Sequence, residues 1–410
     1  MQVFKNIKIG VFISLVNILI QGVSVLVQNL IAKNLGVVDF GYFGVLQTDY
    51  TIFCALADFG MATLILAYFG KRATEGRLFI NVLQMRLGIT ALAALAMFTF
   101  AFTVRRDHPA FAGEFILAFG LLFQHAFFDW YFICGNFWKK LLISKVLHTI
   151  SYTTVMGIAL YVLHFDSIPL VALSMVVAAL PAFSFGVGQA FTSKVFHIGR
   201  HTPKFFALML KSACPYAVAS IASFAYLPVG LYTVAHYAPG TFLGAYNFAH
   251  KLVILASGLM VHFISSSLIT LHQSDSRKLS LRDQAVFTLF IIAVSSPFWL
   301  VPEWTLRIIF FAAPWTSDLL DVSSSCLRIL SASLALQAMR MGMISTMLKE
   351  KRTWLYGMFI SAAGIANIGV CIFAAHNFKE TAIPLFTLSG DLLLTLVLAT
   401  YFIKNRRFTL

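Results

Sequence analysis

Apolar runs long enough to cross a bilayer recur from one end of this chain to the other, and the connections between them are short. About 20 consecutive helical residues span the hydrocarbon core, and inside lipid each run must satisfy its own backbone hydrogen bonds, as a helix does. Only 11% of the 410 residues are charged and 59% are hydrophobic, whereas in a soluble domain about 25% are charged. The chain is therefore expected to be an all-α polytopic membrane protein. Twelve transmembrane helices are placed over residues 9–32, 40–69, 78–104, 115–134, 141–163, 168–191, 213–234, 242–271, 285–301, 319–348, 355–373 and 382–403. Lys5 and Lys8 ahead of the first run look superficially like a secretory signal. The run is too long for one and no A-x-A site follows, so it is expected to stay attached as the first span.

A net charge of +14 would point to nucleic acid in a soluble protein, but here its distribution has another cause. The N-terminus and every second connection hold 21 of the 30 Lys and Arg residues, while the opposite connections hold Lys33, Arg105, Arg106, Arg307 and Lys379. The positive-inside rule then puts both termini in the cytoplasm and removes the case for a nucleic-acid partner. Cys54, Cys134, Cys214, Cys326 and Cys371 lie within or at the ends of apolar runs, with no CxxC or metal-ligand spacing, and read as small core residues. There is no Walker A sequence, HExxH, nucleophile elbow or complete Gly-rich dinucleotide loop. Neither a metal nor a cofactor is expected, and ATP hydrolysis is not.

Polar residues inside the spans are more informative. In the first span Ser14, Asn17, Gln21, Ser24 and Gln28 are spaced 3, 4, 3 and 4 residues apart, with Asn29 beside the last. That spacing gathers the five on one helix face. An amide stripe at membrane depth turns toward protein or water, where it either bonds across helices or lines a solvated path. Helix 2 carries Asp58-Phe59-Gly60, a sequence suited to bending or ending a helix, and helix 7 carries Pro215 and Pro228 with Ser220, Ser223, Tyr226 and Tyr232. The polar stripes and breaks thus concentrate in helices 1, 2, 7 and 8.

A basic, turn-rich segment, SKVFHIGRHTPK, divides the chain near its middle and is expected to link an N-terminal six-helix lobe, 1–198, to a C-terminal one, 199–410. His197 and His201 within it are four residues apart and have no third ligand, so they read as solvated loop residues. A weak repeat supports the division: aligning Gly41 with Gly244, at an offset of 203, brings Phe43 onto Tyr246 and Thr48 onto Lys251. Both copies open a helix running inward from the outer side, which makes the repeat parallel.

An ionisable group at the centre of a span costs about 2.5 to 3.5 kcal/mol on insertion scales. Lys251 heads a stripe of Lys251, Gly258, His262 and Ser265, one turn after Asn247, and is the candidate for binding an anion. Its bland alternative is snorkelling to the interface. Asp49 lies at a similar depth on helix 2, so an ion pair with Lys251 across the halves is a candidate gate. Asp58, His125, Asp129, His262 and Asp391 are candidates for taking up a proton or for structural hydrogen bonds. Arg86, Arg328 and Arg340 are expected to pair with aspartates or to snorkel.

The segments AKNLGVVDFGYFG (Gly36, Phe40, Gly41, Tyr42), LADFGM (Asp58, Gly60), FDWYFICGNFWKKLLISKVL, GAYNFAHKL and the outer segment before LRIL carry a resemblance. Together they resemble the bacterial oligosaccharide flippases, a polysaccharide transporter family of the multidrug/oligosaccharidyl-lipid/polysaccharide exporter superfamily. The resemblance spans the whole chain. It implies twelve helices in two pseudo-symmetric six-helix lobes around a central cavity lined chiefly by helices 1, 2, 7 and 8. It also implies a transporter rather than an enzyme, located in the bacterial inner membrane. Its task would be to move undecaprenyl-diphosphate-linked repeat units from the cytoplasmic to the periplasmic leaflet for O-antigen or capsule assembly. On this reading Lys251, Arg86, Asn17, Gln21, Gln28, Asn247 and His262 bind substrate in the cavity. Asp49, Asp58, Asp129 and Asp391 serve gating or coupling to a proton or sodium gradient. The partners are the lipid-linked oligosaccharide, membrane lipids, and a polymerase or chain-length regulator. Unlike the lipid II exporters, the chain has neither an extra pair of helices nor a dense arginine cluster in helix 1. A multidrug exporter of the same superfamily is the nearest rival and would use Asp49 and Asp58 against a cationic substrate. A membrane polymerase or glycosyltransferase would need a long charged outer loop, and PEWTLRIIFFAAPWTSD is short and largely apolar.

Overall fold

A computed structural model describes residues 2–68, 76–124, 126–135, 137–192, 203–226, 228–271, 279–350, 352–405 and 408–409. The helices are α1 (Gln2–Asp58), α2 (Met61–Tyr68), α3 (Gly76–Val104), α4 (Phe111–Gly120), α5 (Asp129–Cys134), α6 (Trp138–Gly157), α7 (Ile168–Thr192) and α8 (Pro203–Tyr226). They continue as α9 (Val229–Tyr237), α10 (Thr241–Leu271), α11 (Leu281–Leu300), α12 (Pro302–Ile309), α13 (Ser317–Lys349), α14 (Thr353–Asn377) and α15 (Ile383–Lys404). Among the described residues the strand content is one parallel pairing of Leu279–Ser280 with Phe408–Thr409. The middle of the basic linker, with His197 and His201, lies outside the described residues, as does His125. The side chains of Ser14, Asn17, His262 and Ser265 lie outside them too, although their helices are described.

The chain is all-helical and multi-pass. Eight of its described helices are long and apolar enough to cross a membrane, or nine if α11 and α12, bent by 92°, form one span. α1, counted once there, carries the first two spans expected from the sequence. The turn expected between them is a single-residue break: only Gly36 leaves helical geometry, at φ 74° and ψ 176°, a conformation that glycine adopts without a Cβ clash. α1 ends where Asp58-Phe59-Gly60 predicts, with Phe59 at φ 47° and Gly60 at φ 65°. At Gly60 a Cβ would meet Tyr216 Cβ at 2.5 Å and the Ala217 nitrogen at 2.7 Å, so the tight approach requires glycine as well.

The fourth expected span, 115–134, is corrected: it is not one helix. α4 stops at Gly120, a 3₁₀ turn covers Leu121–Phe123, Gln124 leaves helical geometry, and α5 starts at Asp129. The cause is packing. Phe127, Phe128, Trp130, Tyr131 and Phe132 are all buried in one cluster with Phe79, Ile80, Met85 and Leu141. A straight helix would distribute consecutive rings around its circumference, whereas the break gathers them, with Phe79 stacked 5.7 Å from Trp130.

By contact the chain forms two compact units, Tyr42–Phe224 and the combination of Met1–Gly41 with Ala225–Leu410. In the first, α7 receives α4 and α6, and α3 packs on α4. In the second, α13 is the hub, receiving α10, α11, α12 and α15. Of its most apolar window 56% is buried, against 17 to 39% in the other candidate spans. Small buried residues make this possible: Ser323, Ser324, Ser331, Ser333 and Ala338 let neighbouring helices close in. Leu92, Leu95 and Phe102 on α3, and Ile365, Leu396 and Ile403 on α14 and α15, are exposed in the chain alone, as lipid-facing positions are.

Candidate functional site

In the unit built on α13, the two glycines aligned by the sequence repeat touch. A Cβ on Gly41 would meet the Gly244 nitrogen at 2.8 Å, and one on Gly244 would meet the Val37 carbonyl oxygen at 2.2 Å. This crossing brings α1 and the start of α10 to backbone contact. Asn247 locks it, its fully buried Nδ2 donating to the Phe40 carbonyl at 2.7 Å, while Phe40 packs 4.7 Å from Phe248. Asn29, also fully buried, binds the turn after α12: its Nδ2 donates to the Ile309 carbonyl and its Oδ1 accepts from the Ala312 N–H at 3.3 Å. Two members of the polar positions thus fasten helices together. Asn247, expected in the substrate cavity, has its amide nitrogen committed to this fastening.

Below the crossing the two expected stripes meet. A methyl on Gly258 would sit 2.8 Å from Gln21 Nε2, so the glycine makes room for the glutamine side chain. The Oε1 atoms of Gln21 and Gln28 are buried without a hydrogen-bond partner among the described residues. Lys251 is half-buried on α10, two turns before Gly258 and on the same face. Arg328 is exposed on α13.

α10 also borders a small cavity of about 40 Å³, walled partly by Tyr246, Val253, Ile254, Leu330 and Leu388. That is room for two or three waters. Tyr226, His250, Gln337, Asn367, Thr387 and Asp391 contribute its polar lining. Ser257 Oγ donates to Gln337 Oε1 at 2.8 Å across it. Beside the cavity Arg340 and Asp391 form a buried ion pair, and Arg340 also donates to the Asp391 backbone carbonyl at 3.2 Å. The guanidinium carbon lies 5.8 Å from the Tyr226 ring centre, within cation–π range.

The unit Tyr42–Phe224 holds two charge sites. Arg86 binds Asp58 at 2.8 Å and stands 5.3 Å over the Phe127 ring. Asp129 lies within electrostatic reach of Arg86 and Lys145. Arg86, expected to meet substrate phosphate, is therefore already neutralised by one carboxylate and neighbours a second. At the other end of α3, Arg105 Nη2 lies 3.3 Å from Asp49 and its Nε 3.6 Å from Glu114. Asp49 is 3% and Glu114 0% exposed. His108 completes this corner, edge-on to Tyr42 at 5.0 Å. Burial, reinforced by Arg105, pushes its imidazole down to about 4, so at neutral pH it is neutral and accepts the Ala110 N–H at Nδ1.

Sequence reasoning placed Asp49, Asp58 and Asp391 among the functional acids but did not assign these partners, and it passed over Glu114. The available signal was an acid in the first turn of the apolar run FAGEFILAFG. Arg105 counted only as an outer-loop charge, because nothing local shows that it folds back on α1 and α4.

The chain thus combines buried ion pairs, broken spans and amide-lined helix faces within a multi-pass helical fold. Its fold matches a multidrug resistance MATE family transporter of the MOP superfamily in its inward-facing conformation, with a TM-score of 0.68 at 13% identity over 94% of both chains. It also matches the lipid II flippase MurJ in an inward closed conformation, with a TM-score of 0.76 at 14% identity over 97% of this chain and 88% of that one. No curated protein sequence matches. The family model described as polysaccharide biosynthesis protein matches residues 7–269. The chain belongs to that family, and its fold is the one these membrane transporters share.

Proposed function

We propose that this protein is a membrane transporter of the MOP superfamily that flips a diphosphate-linked polyprenyl oligosaccharide, such as an O-antigen or capsule repeat unit, from the cytoplasmic to the outer leaflet of the bacterial inner membrane, with both termini cytoplasmic. The observation that carries the reading is the seam between α1 and α10 in a polysaccharide biosynthesis protein: Gln21 lies against Gly258 on the helix that also carries Lys251, and the Oε1 atoms of Gln21 and of Gln28, two turns further along α1, are unsatisfied among the described residues. The amide oxygens suit sugar hydroxyls, which donate to them. The Lys251 ammonium suits a diphosphate, through charge-assisted bonds stronger than neutral ones. The polyprenyl chain stays in lipid.

Charge balance argues against the multidrug reading. The multidrug reading would use Asp49 and Asp58 against a cationic substrate, yet Asp58 is bound by Arg86 and Asp49 lies against Arg105. A polymerase or chain-length regulator is the partner this function calls for on the outer face.

The test is a strain deleted for the gene, complemented with wild type, Lys251→Ala or Lys251→Arg. Accumulation of the glycolipid on the cytoplasmic face, with no single repeat unit reaching the surface acceptor, is the expected result. Lys251→Ala reproduces the deletion and Lys251→Arg restores polymer. Single units still reaching the surface would make the protein a polymerase helper. Full polymer with Lys251→Ala at normal expression would remove the lysine from the mechanism.

A further inference from the structure

The corner formed by Asp49, Arg105 and Glu114 differs from the other buried ion pairs in its charge count. Arg340 and Asp391 are a one-to-one pair within hydrogen-bonding distance, and Arg86, bound to the partly exposed Asp58, shares the nearby Asp129 with Lys145, so that two bases face two acids. Here both acids run to the same guanidinium, at the looser distances of 3.3 and 3.6 Å. Among the described residues neither oxygen of the completely buried Glu114 side chain has a donor within hydrogen-bonding distance, and the neighbouring acid is Asp49. An ionised carboxylate left that way is costly, because burial disfavours the charge and no donor replaces water.

Two features favour the ionised state. Glu114 lies in the first turn of α4, where the helix dipole stabilises an anion, and Arg105 is near. Against them stand complete burial and the neighbouring Asp49 carboxylate. Two ionised carboxylates offer each other only acceptors, and a proton between them converts one into a donor. The titratable and charged groups on the surrounding segments are Tyr42 and Asp49 on α1, Arg105, Arg106, Asp107 and His108 on the turn before α4, and His164 and Asp166 ahead of α7. Of these, Arg106, Asp107, His164 and Asp166 are exposed to solvent, and His108 is already neutral at neutral pH.

We infer that Asp49 and Glu114 form a proton-binding carboxyl pair that holds one exchangeable proton at neutral pH, with Arg105 as the group that covers it. Arg105 is the partly exposed member of the trio, its side chain 15% accessible against 4% and 0% for the acids, so the proton exchanges past the guanidinium. The ligand is a proton rather than a metal ion. The Arg105 guanidinium between the two acids repels a cation, and among the described residues no group of three His, Cys, Asp or Glu side chains gathers to hold one. Such a pair titrates as a unit, releasing its protons in two steps. The site faces the outer side only on the topology of the proposed function; proton binding itself does not depend on that reading.

Infrared difference spectroscopy of the full chain in lipid nanodiscs, titrated from about pH 5 to about pH 9, tests it, since ordinary carboxyls are ionised through that range. Wild type is expected to show a protonated-carboxyl band at neutral pH that shifts in D₂O and is missing in Glu114→Gln. In Asp49→Asn the band's midpoint is expected to fall by about one pH unit or more, because the like charge is gone. A wild-type band that Glu114→Gln leaves intact, or a midpoint unmoved by Asp49→Asn, overturns the inference. If Glu114→Gln fails to fold, the Asp49→Asn midpoint decides alone. The deletion strain can refute flipping while this band persists, so the two readings fail separately.

Discussion

Arg340→Met separates a structural role for the Arg340–Asp391 pair from an ion-coupling role for Asp391. The guanidinium makes two contacts to one residue, a charge pair with the carboxylate and a bond to its backbone carbonyl, with both side chains buried. Removing one partner of a buried pair leaves an uncompensated charge, which costs about 3 to 5 kcal/mol. Replacing both by apolar groups is often neutral or stabilising. Arg340→Met and Asp391→Leu should each lose stability in that range, and the double variant should recover most of it. At about 1.4 kcal/mol per tenfold, the singles raise the opening equilibrium roughly a hundred- to several-thousand-fold.

The buried thiols supply the assay. Cys326 on α13 and Cys371 on α14 report the unit that contains the pair, and Cys134 reports the other. In single-cysteine backgrounds, labelling of Cys326 and Cys371 under mild denaturant should accelerate in both single variants while Cys134 stays at its parent rate. An Arg340→Met protein whose Cys371 labels as slowly as its parent would refute the reasoning, as would a double variant no better than the worse single one. Single variants that stay stable and lose transport would instead make Asp391 a coupling residue.

Gly244→Ala places a methyl 2.2 Å from the Val37 carbonyl. Relief separates α10 from α1 and strains the Asn247 bond to Phe40, for a combined loss of about 2 to 5 kcal/mol, measurable as early labelling of Cys326. Gly60→Ala meets Tyr216 and Ala217 backbone at φ 65°. Its expected loss, also about 2 to 5 kcal/mol, falls in the other unit, so Cys134 should be the thiol that opens early. Parent-like labelling in either variant would show that the backbone yields at that crossing.

How much could be read in advance divides along the same lines as the physics. The all-helical membrane class followed from composition and run length, because lipid leaves each span to satisfy its own backbone. The break at Asp58-Phe59-Gly60 was legible too, since its glycine tolerates the positive φ that ends the helix. The aligned glycines, Gly41 and Gly244, marked the place where two helices touch, although the alignment could not say that they touch each other. Helix 4 was misread because its aromatic run satisfies any hydrophobicity criterion, and what breaks it is the shape of the cluster around Phe79.

Partner choice was a different matter. A sequence shows that Arg86 and Arg340 must be compensated at membrane depth, since an unpaired charge there is costly. It does not show that Asp58 lies against Arg86, 28 residues away, or that Asp391 lies against Arg340, 51 residues away. Nor does it show that Asp49 and Glu114 share Arg105. The sequence alone thus determined that Arg86 and Arg340 lie in lipid and need partners, because burial energy is a property of each segment. Only the tertiary structure decided which charges meet and in what ratio, because ion pairing is set by distances between helices that packing, not spacing, brings together.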